Sequence, residues 1–287
     1  MGARTDMGRR DGIGPDLRDK TILITGGGTG IGSATAIEAA GAGMRVMVTG
    51  RRSAPLERVV SLIRDQGGEA TAHVGDVSEE GASRRMLDSM NDAFGGTDAI
   101  FANAGYGIEK PVLDADESDV RRLFEINLLS AVDLLRNGGL DMRASGRPGH
   151  LLGCSSILGK FTLPRYGLYS ATKAALTHVC RSMRVELSGT GISVSSVHPV
   201  TTRTEFFEVA AETSGVGHGP ALRADGTPRH APRMFVQPPE KVARAVIRCL
   251  RRPRAEVWTT LSGRVANGVF ELVPPIYDLV LHSAGKK

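Results

Sequence analysis

This chain has few cysteines, no unbroken apolar run, and no basic cluster set among aromatic residues. Each lack removes a class of function. The cysteines are Cys154, Cys180 and Cys249. Their number is odd and their spacing matches no metal or redox motif. Each lies in an apolar segment and reads as a buried, reduced thiol, which suits a reducing cytoplasm. The longest late apolar stretch, Val265 to Leu281, is broken by Glu271, Pro274, Pro275 and Asp278 and is too interrupted to span a membrane. The net charge of +5 leans toward an anionic ligand. The basic residues are scattered, however, which argues against a nucleic-acid partner. Residues 1–18 are polar, charged and Gly-rich, with no secretory signal. Asp6 occupies the position where a myristoylation pattern needs Ser or Thr. This segment reads as a flexible tail.

What is present is an ordinary soluble composition, 41% hydrophobic and 23% charged over 287 residues, enough for one large α/β domain. Apolar runs at Thr21–Thr25, Arg45–Thr49, Ala70–Val74, Asp98–Ala102, His150–Cys154, Ile192–Val197 and Ala255–Thr259 read as strands. Between them, helical spacing covers Ser33–Ala42, Leu56–Asp65, Glu80–Phe94, Asp116–Arg136, Tyr166–Leu187 and Pro239–Arg251. This alternation predicts a single α/β domain: a parallel sheet of about seven strands with helices on both faces. The rhythm fails over Thr201–Val236, which is rich in Gly, Pro, Thr and charge. A loop of that length in a compact domain is usually functional or mobile.

The first strand runs into Gly26-Gly27-Gly28-Thr29-Gly30-Ile31-Gly32 and then a helix. Glycines let the backbone approach a pyrophosphate, and the helix N-terminus supplies N–H donors. The spacing of Gly26, Gly30 and Gly32 is GxxxGxG rather than the commoner GxGxxG. An NAD site wants a carboxylate at the end of the second strand, for the ribose 2′-hydroxyl. That strand ends Thr49-Gly50-Arg51-Arg52, with no acid. Arginine suits bidentate phosphate binding. The expected cofactor is therefore NADP(H) in preference to NAD(H), with Arg51 as the main phosphate contact beside Arg52. The alternative is that both arginines are solvated loop charges.

Tyr169 and Lys173 stand four apart and share one helix face. A phenol ordinarily titrates near pH ~10. A fixed ammonium beside it would lower that value and make it usable for general acid/base work. Upstream, Ser155 and Ser156 close an apolar strand. A hydroxyl there could hydrogen-bond the same reacting oxygen, and Ser156 is the preferred candidate.

Together these motifs resemble the short-chain dehydrogenase/reductase family, in order from about Thr21 to Val257. Thr25 to Gly32 resembles its cofactor fingerprint, covering Thr25, Gly26, Gly28, Thr29, Gly30, Ile31 and Gly32. Asp76 and Val77 match the position that contacts the adenine. Asn103, Ala104 and Gly105 match the motif that closes the fourth strand. Asn127, Ser156, Tyr169 and Lys173 match the active-site set. Pro199, Val200, Thr202 and Thr204 fall in a segment similar to the family's PGxxxT, with Thr204 on the nicotinamide carboxamide. Val200 departs from the usual Gly, so the turn there is expected to be rebuilt. The resemblance implies a Rossmann-type doubly wound fold and reversible hydride transfer to a carbonyl. In that scheme Tyr169 donates the proton, Ser156 bonds the oxygen, Lys173 tunes Tyr169 and holds the ribose, and Asn127 anchors a water. It also implies a homodimer or homotetramer built on the helices carrying Asn127 and Tyr169.

Phe206, Phe207, Met234 and Phe235 flank the loop 203–236 and hint at a hydrophobic substrate, or dock the loop on the core. The C-terminal apolar extension, residues 263–287, would cap the pocket, pack on the core or a partner, or touch a membrane surface. Two other readings compete with a soluble enzyme: a non-catalytic NADP-binding sensor or scaffold, and a membrane-peripheral reductase.

Overall fold

A computed structural model of the chain describes residues 11–215, 219, 221–229, 231, 233–273, 275 and 277. The strands are β1 (Thr21–Thr25), β2 (Arg45–Gly50), β3 (Ala70–Val74), β4 (Ala99–Ala102), β5 (Gly149–Cys154), β6 (Ile192–His198) and β7 (Glu256–Trp258). All pair in parallel, in the order β3-β2-β1-β4-β5-β6-β7. This is the seven-stranded doubly wound sheet that the alternating pattern predicted.

Strand side chains alternate between two faces. Ile22, Ile24, Val46, Val48 and Phe101 enter one core layer, and Leu23, Met47 and Ile100 enter the other. The first layer is covered by α1 (Gly30–Gly41), α2 (Ser53–Asp65) and α8 (Pro239–Arg251). The second is covered by α3 (Ala82–Phe94), α5 (Ser130–Ala144) and α6 (Gly167–Glu186). Helix α1 is rich in Ala and Gly because it is squeezed between the sheet and α8; its Ala36 and Ala39 are fully buried. The strand order reverses between β1 and β4. A crevice opens there beyond the C-terminal strand ends, the usual ligand position of such sheets.

The structure departs from the sequence reading in four places. The helix expected over 116–136 is α4 (Glu117–Phe124), one π turn at Glu125–Leu129, and α5, which continues to Ala144. It runs through Gly138 because that glycine lies against the sheet: a Cβ there would meet Ile100 Cδ1 at 2.1 Å. Inside the irregular stretch 203–236, Phe206–Thr213 forms α7, and Leu261–Leu272 forms α9 in the C-terminal extension. Finally, residues 11–18 are not a flexible tail. Ile13 and Leu17 are buried in the core, Gly12 N–H donates to the Gly191 carbonyl at 3.0 Å, and the Asp11 carboxylate accepts from the Gly189 and Gly191 amides. Residues 1–10 and 278–287, the outer parts of the expected tail and extension, lie outside the described residues. Among the described residues no helix is long and apolar enough to cross a membrane.

Candidate active site

The crevice is a cleft of about 1510 Å³. One end is formed by the turn after β1. Gly26 has φ +63 and Gly30 φ +54, conformations that favour glycine. A Cβ on Gly32 would sit 2.1 Å from the Gly26 carbonyl oxygen, and one on Gly30 would sit 2.9 Å from Thr204 Cγ2. The Thr29–Gly32 turn thus opens α1 directly beneath Thr204. Asn103 and Ala104, just after β4, both donate their amides to Thr25 Oγ1 at 2.9 Å, and Asn103 Nδ2 donates to the Thr25 carbonyl at 2.9 Å. One threonine hydroxyl therefore locks the β4 loop to the glycine turn.

Arg51 and Arg52 follow β2 and line the same cleft with Asp76 and Val77. Arg52 is paired with Glu205 at 2.9 Å, on the loop leading into α7. Both side chains are largely exposed, so the pair adds little stability. It does link the two walls of the cleft. The Asp76 carboxyl is held below its usual pKa. Burial alone would raise it, but hydrogen bonds from Ser78 and the nearby Arg51 and Arg122 guanidinium groups outweigh that.

At the other end stand Ser156, Tyr169 and Lys173, all buried and all on the cleft wall. Ser156 follows β5, and its Oγ accepts the Leu158 amide at 3.1 Å. Ser155 points away. Its hydroxyl bonds the Lys173 carbonyl at 2.8 Å and Thr177 Oγ1 at 2.7 Å, inside the α6 packing. The choice between the two serines therefore falls on Ser156. Lys173 Nζ donates to the Cys154 carbonyl at 2.9 Å and lies 5.8 Å from the Tyr169 ring centroid.

The electrostatics differ from the sequence expectation. Burial pushes the Tyr169 phenol above its ordinary pKa, and hydrogen bonding with Ser156 offsets only part of this. Burial also lowers the pKa of Lys173. A desolvated phenolate is costly, and Lys173 is engaged with a main-chain carbonyl, so the expected lowering of Tyr169 is absent from this arrangement.

Asn127 is fully buried on the π turn, a local irregularity often found at functional sites. Its amide clamps Tyr106: Oδ1 accepts the Tyr106 N–H at 2.9 Å and Nδ2 donates to the Tyr106 carbonyl at 2.8 Å. The preceding Gly105 is wedged in place. A Cβ there would lie 2.9 Å from Asn127 Oδ1 and 3.2 Å from Lys173 Nζ. Asn127 thus braces the β4 loop against Lys173, a role that helical spacing could not show.

Val200 has no positive φ, and its side chain packs where a Cβ on Gly263 of α9 would meet it at 3.1 Å. The Pro199 carbonyl accepts the Ile157 amide at 2.9 Å, tying this turn to the Ser156 segment. The Thr202 hydroxyl donates to the Val200 carbonyl at 2.8 Å. Phe206 stacks edge-on to Tyr169, with centroids 5.5 Å apart, and Phe207 and Phe235 also line the cleft. The side chain of Met234 lies outside the described residues. Phe161 packs on Phe270 at 5.2 Å, and Tyr277 bonds the Thr162 main chain, so α9 forms part of the wall. Sequence reasoning missed Glu109, Arg165 and Tyr166 in this wall; no motif marks them.

A family model for short chain dehydrogenases matches residues 20–215. The chain belongs to the short-chain dehydrogenase family. An uncharacterized oxidoreductase of Listeria innocua is 29% identical over 198 residues, 68% of this chain and 79% of the relative. Two solved structures are also similar. A short-chain dehydrogenase/reductase from Burkholderia phymatum in complex with NAD has a TM-score of 0.79 at 21% identity, covering 91% of this chain and 96% of that one. A metagenomic short-chain oxidoreductase in complex with NADP has a TM-score of 0.68 at 26% identity, covering 86% and 100%. This short-chain dehydrogenase is therefore an oxidoreductase with a Rossmann-type nucleotide-binding fold.

Proposed function

We propose that this short-chain dehydrogenase uses NADP(H) to interconvert a carbonyl and a secondary alcohol on a hydrophobic small molecule. The observation that carries the reading is the convergence of Ser156, Tyr169 and Lys173 on one wall of a cleft whose far wall is a glycine turn. The residues fit a dinucleotide. The cradle at Gly26, Gly30 and Gly32 has no room for side chains, and α1 begins there with its N–H donors facing the cleft. The nicotinamide supplies or accepts the hydride.

The chain's own residues handle the oxygen. Tyr169 is protonated and gives its proton to the developing alkoxide, which matches the reductive direction. Ser156 hydrogen-bonds the same oxygen. Lys173 holds positive charge near the phenol and would reach the ribose hydroxyls. Thr204 stands over the glycine turn and Thr202 lines the same cleft, where the nicotinamide amide would be held. Arg51 and Arg52 would hold the 2′-phosphate, and Asp76 and Val77, on the same cleft, would meet the adenine. The arginines and the missing β2 carboxylate support NADP(H), although related structures hold either cofactor. The aromatic wall supports a hydrophobic substrate. We further propose a homodimer or homotetramer in the cytoplasm, built on α5 and α6; Leu140 and Val185 are exposed apolar residues on these helices.

Tyr169→Phe is the test. Proton transfer by a placed side chain is typically worth ~100- to 10,000-fold in rate. The variant is expected to lose turnover by that factor while binding NADPH as wild type does, followed by fluorescence. Loss of cofactor binding instead would make Tyr169 a structural residue and favour the non-catalytic reading.

A further inference from the structure

Beside Tyr169 the cleft wall carries a polar cluster that the proposed chemistry does not use. Glu109 is 7% exposed, deep for a carboxylate. Its Oε2 accepts the Tyr166 hydroxyl at 2.5 Å, and its Oε1 lies 3.4 Å from Arg165 Nε. The main chain around it is fixed from several sides. Glu109 N–H donates to Ser214 Oγ at 2.9 Å, its carbonyl accepts the Gly219 amide at 3.2 Å, and the Lys110 amide donates to the Arg165 carbonyl at 2.9 Å. Arg165 has φ +71, a left-handed conformation uncommon for a residue with a side chain. Such conformations persist where the surroundings over-determine them, often at ligand sites.

Position matters as much as composition. Tyr166 stands immediately before α6, three residues ahead of Tyr169. They share one buried cluster with Leu123. Glu109, Arg165, Tyr166 and Tyr169 all line the one cleft. A carboxylate oxygen has two lone pairs, and 3.4 Å is longer than a good hydrogen bond. Oε1 therefore keeps capacity for a donor from the cleft. Its charge is already offset by Arg165, so the matching group is a neutral donor and not a cation.

We propose that Glu109, held by Tyr166 and Arg165, is a substrate-selecting residue that accepts a hydrogen bond from a hydroxyl of the substrate, on the cleft wall it shares with Tyr169. The substrate class is then a hydroxy-ketone or the corresponding diol with an apolar body. This rests on the reading of Tyr169 as proton donor, since that fixes which end of the cleft holds the reacting carbon. A site built to hydrogen-bond a substrate hydroxyl discriminates strongly against analogues lacking it, because its own polar groups are left unpaired.

The probes are 4-hydroxycyclohexanone, 4-methoxycyclohexanone and cyclohexanone. Each is titrated calorimetrically into the protein saturated with NADPH at low temperature, and each is assayed for NADPH consumption. Wild type is expected to bind the hydroxy-ketone about tenfold or more tighter than either analogue. Glu109→Gln presents an amide that can donate to an ether, so the hydroxy-over-methoxy ratio should collapse while cyclohexanone affinity stays unchanged. Tyr166→Phe, which loosens the carboxylate, should narrow the same ratio. Equal binding of all three by wild type overturns the proposal, as does a ratio unchanged in both variants, or no binding of any ketone. Discriminating binding without turnover upholds the selecting site and sinks the Tyr169 reading. Turnover without discrimination does the reverse.

Discussion

Replacing Gly105 by Ala would place a methyl group between two side chains that the proposed chemistry needs. The added Cβ would stand 2.9 Å from Asn127 Oδ1 and 3.2 Å from Lys173 Nζ. Gly105 has no positive φ, so the backbone itself accepts Ala and the cost is purely steric. Asn127 cannot swing away cheaply, because its amide makes both hydrogen bonds to Tyr106. Overpacking of this kind costs ~1–3 kcal/mol, and a chain of this size loses roughly 2–4 °C of melting temperature per kcal/mol. The expected drop is therefore roughly 2–12 °C. Activity should fall further, since a displacement of about 1 Å at a reacting group costs ~100-fold. The assay is a double-mutant cycle with Asn127→Ala, read by thermal melting and turnover. Without Oδ1 only the flexible end of Lys173 opposes the methyl group. The two changes should therefore couple by about 0.5–3 kcal/mol. A Gly105→Ala protein as stable and active as wild type would refute the wedge, and so would strict additivity with Asn127→Ala.

Arg51→Ala should weaken NADPH by roughly 10- to 150-fold, the loss of one charge-assisted contact, and leave NADH unchanged. Arg52→Ala should cost less, because Arg52 already shares its charge with Glu205. Equal effects on both cofactors would sink the phosphate assignment. Acid should destabilise the fold through its buried histidines. Burial lowers His150 to about 3, helped by Arg184, and lowers His198 to about 4. Both folded values lie below the ordinary ~6.5, so the unfolded chain binds more protons as pH falls. Stability is complete above pH ~6.5 and declines from there down toward the folded values, by about 2 kcal/mol for His150 alone at pH ~5. Melting temperatures between pH 7.5 and 5 would check this; a flat profile would mean these imidazoles are hydrated or charged in the folded state.

The sequence determined the architecture because each strand and helix writes its own period. The run Thr21–Thr25 is apolar on both faces, with Ile22 and Ile24 in one core layer and Leu23 in the other, as a buried parallel strand requires. The glycine turn and the Tyr169–Lys173 pair were legible because each is a matter of local spacing, a strand–turn–helix junction and two positions four apart on one helix. Other features depend on contacts between distant segments and leave no local mark. Helix α5 carries Gly138 and Gly139 where it packs on the sheet: Ile100 leaves no room for a Cβ at the first, and Leu151 crowds the second. Ile13 and Leu17 look like tail residues until Gly191 and the core meet them. Ser155 and Ser156 are equivalent in sequence; beyond the end of β5 the first turns its hydroxyl into α6, and the second caps the Ile157–Gly159 turn. The direction of the Tyr169 pKa shift was also beyond the sequence, because spacing shows which charge is near but not how much water burial removes. Glu109, Arg165 and Tyr166 meet only once the loop after β4 pairs with the loop leading into α6, where the Lys110 amide donates to the Arg165 carbonyl, so the tertiary structure alone decided that the Tyr169 end of the cleft carries a polar wall.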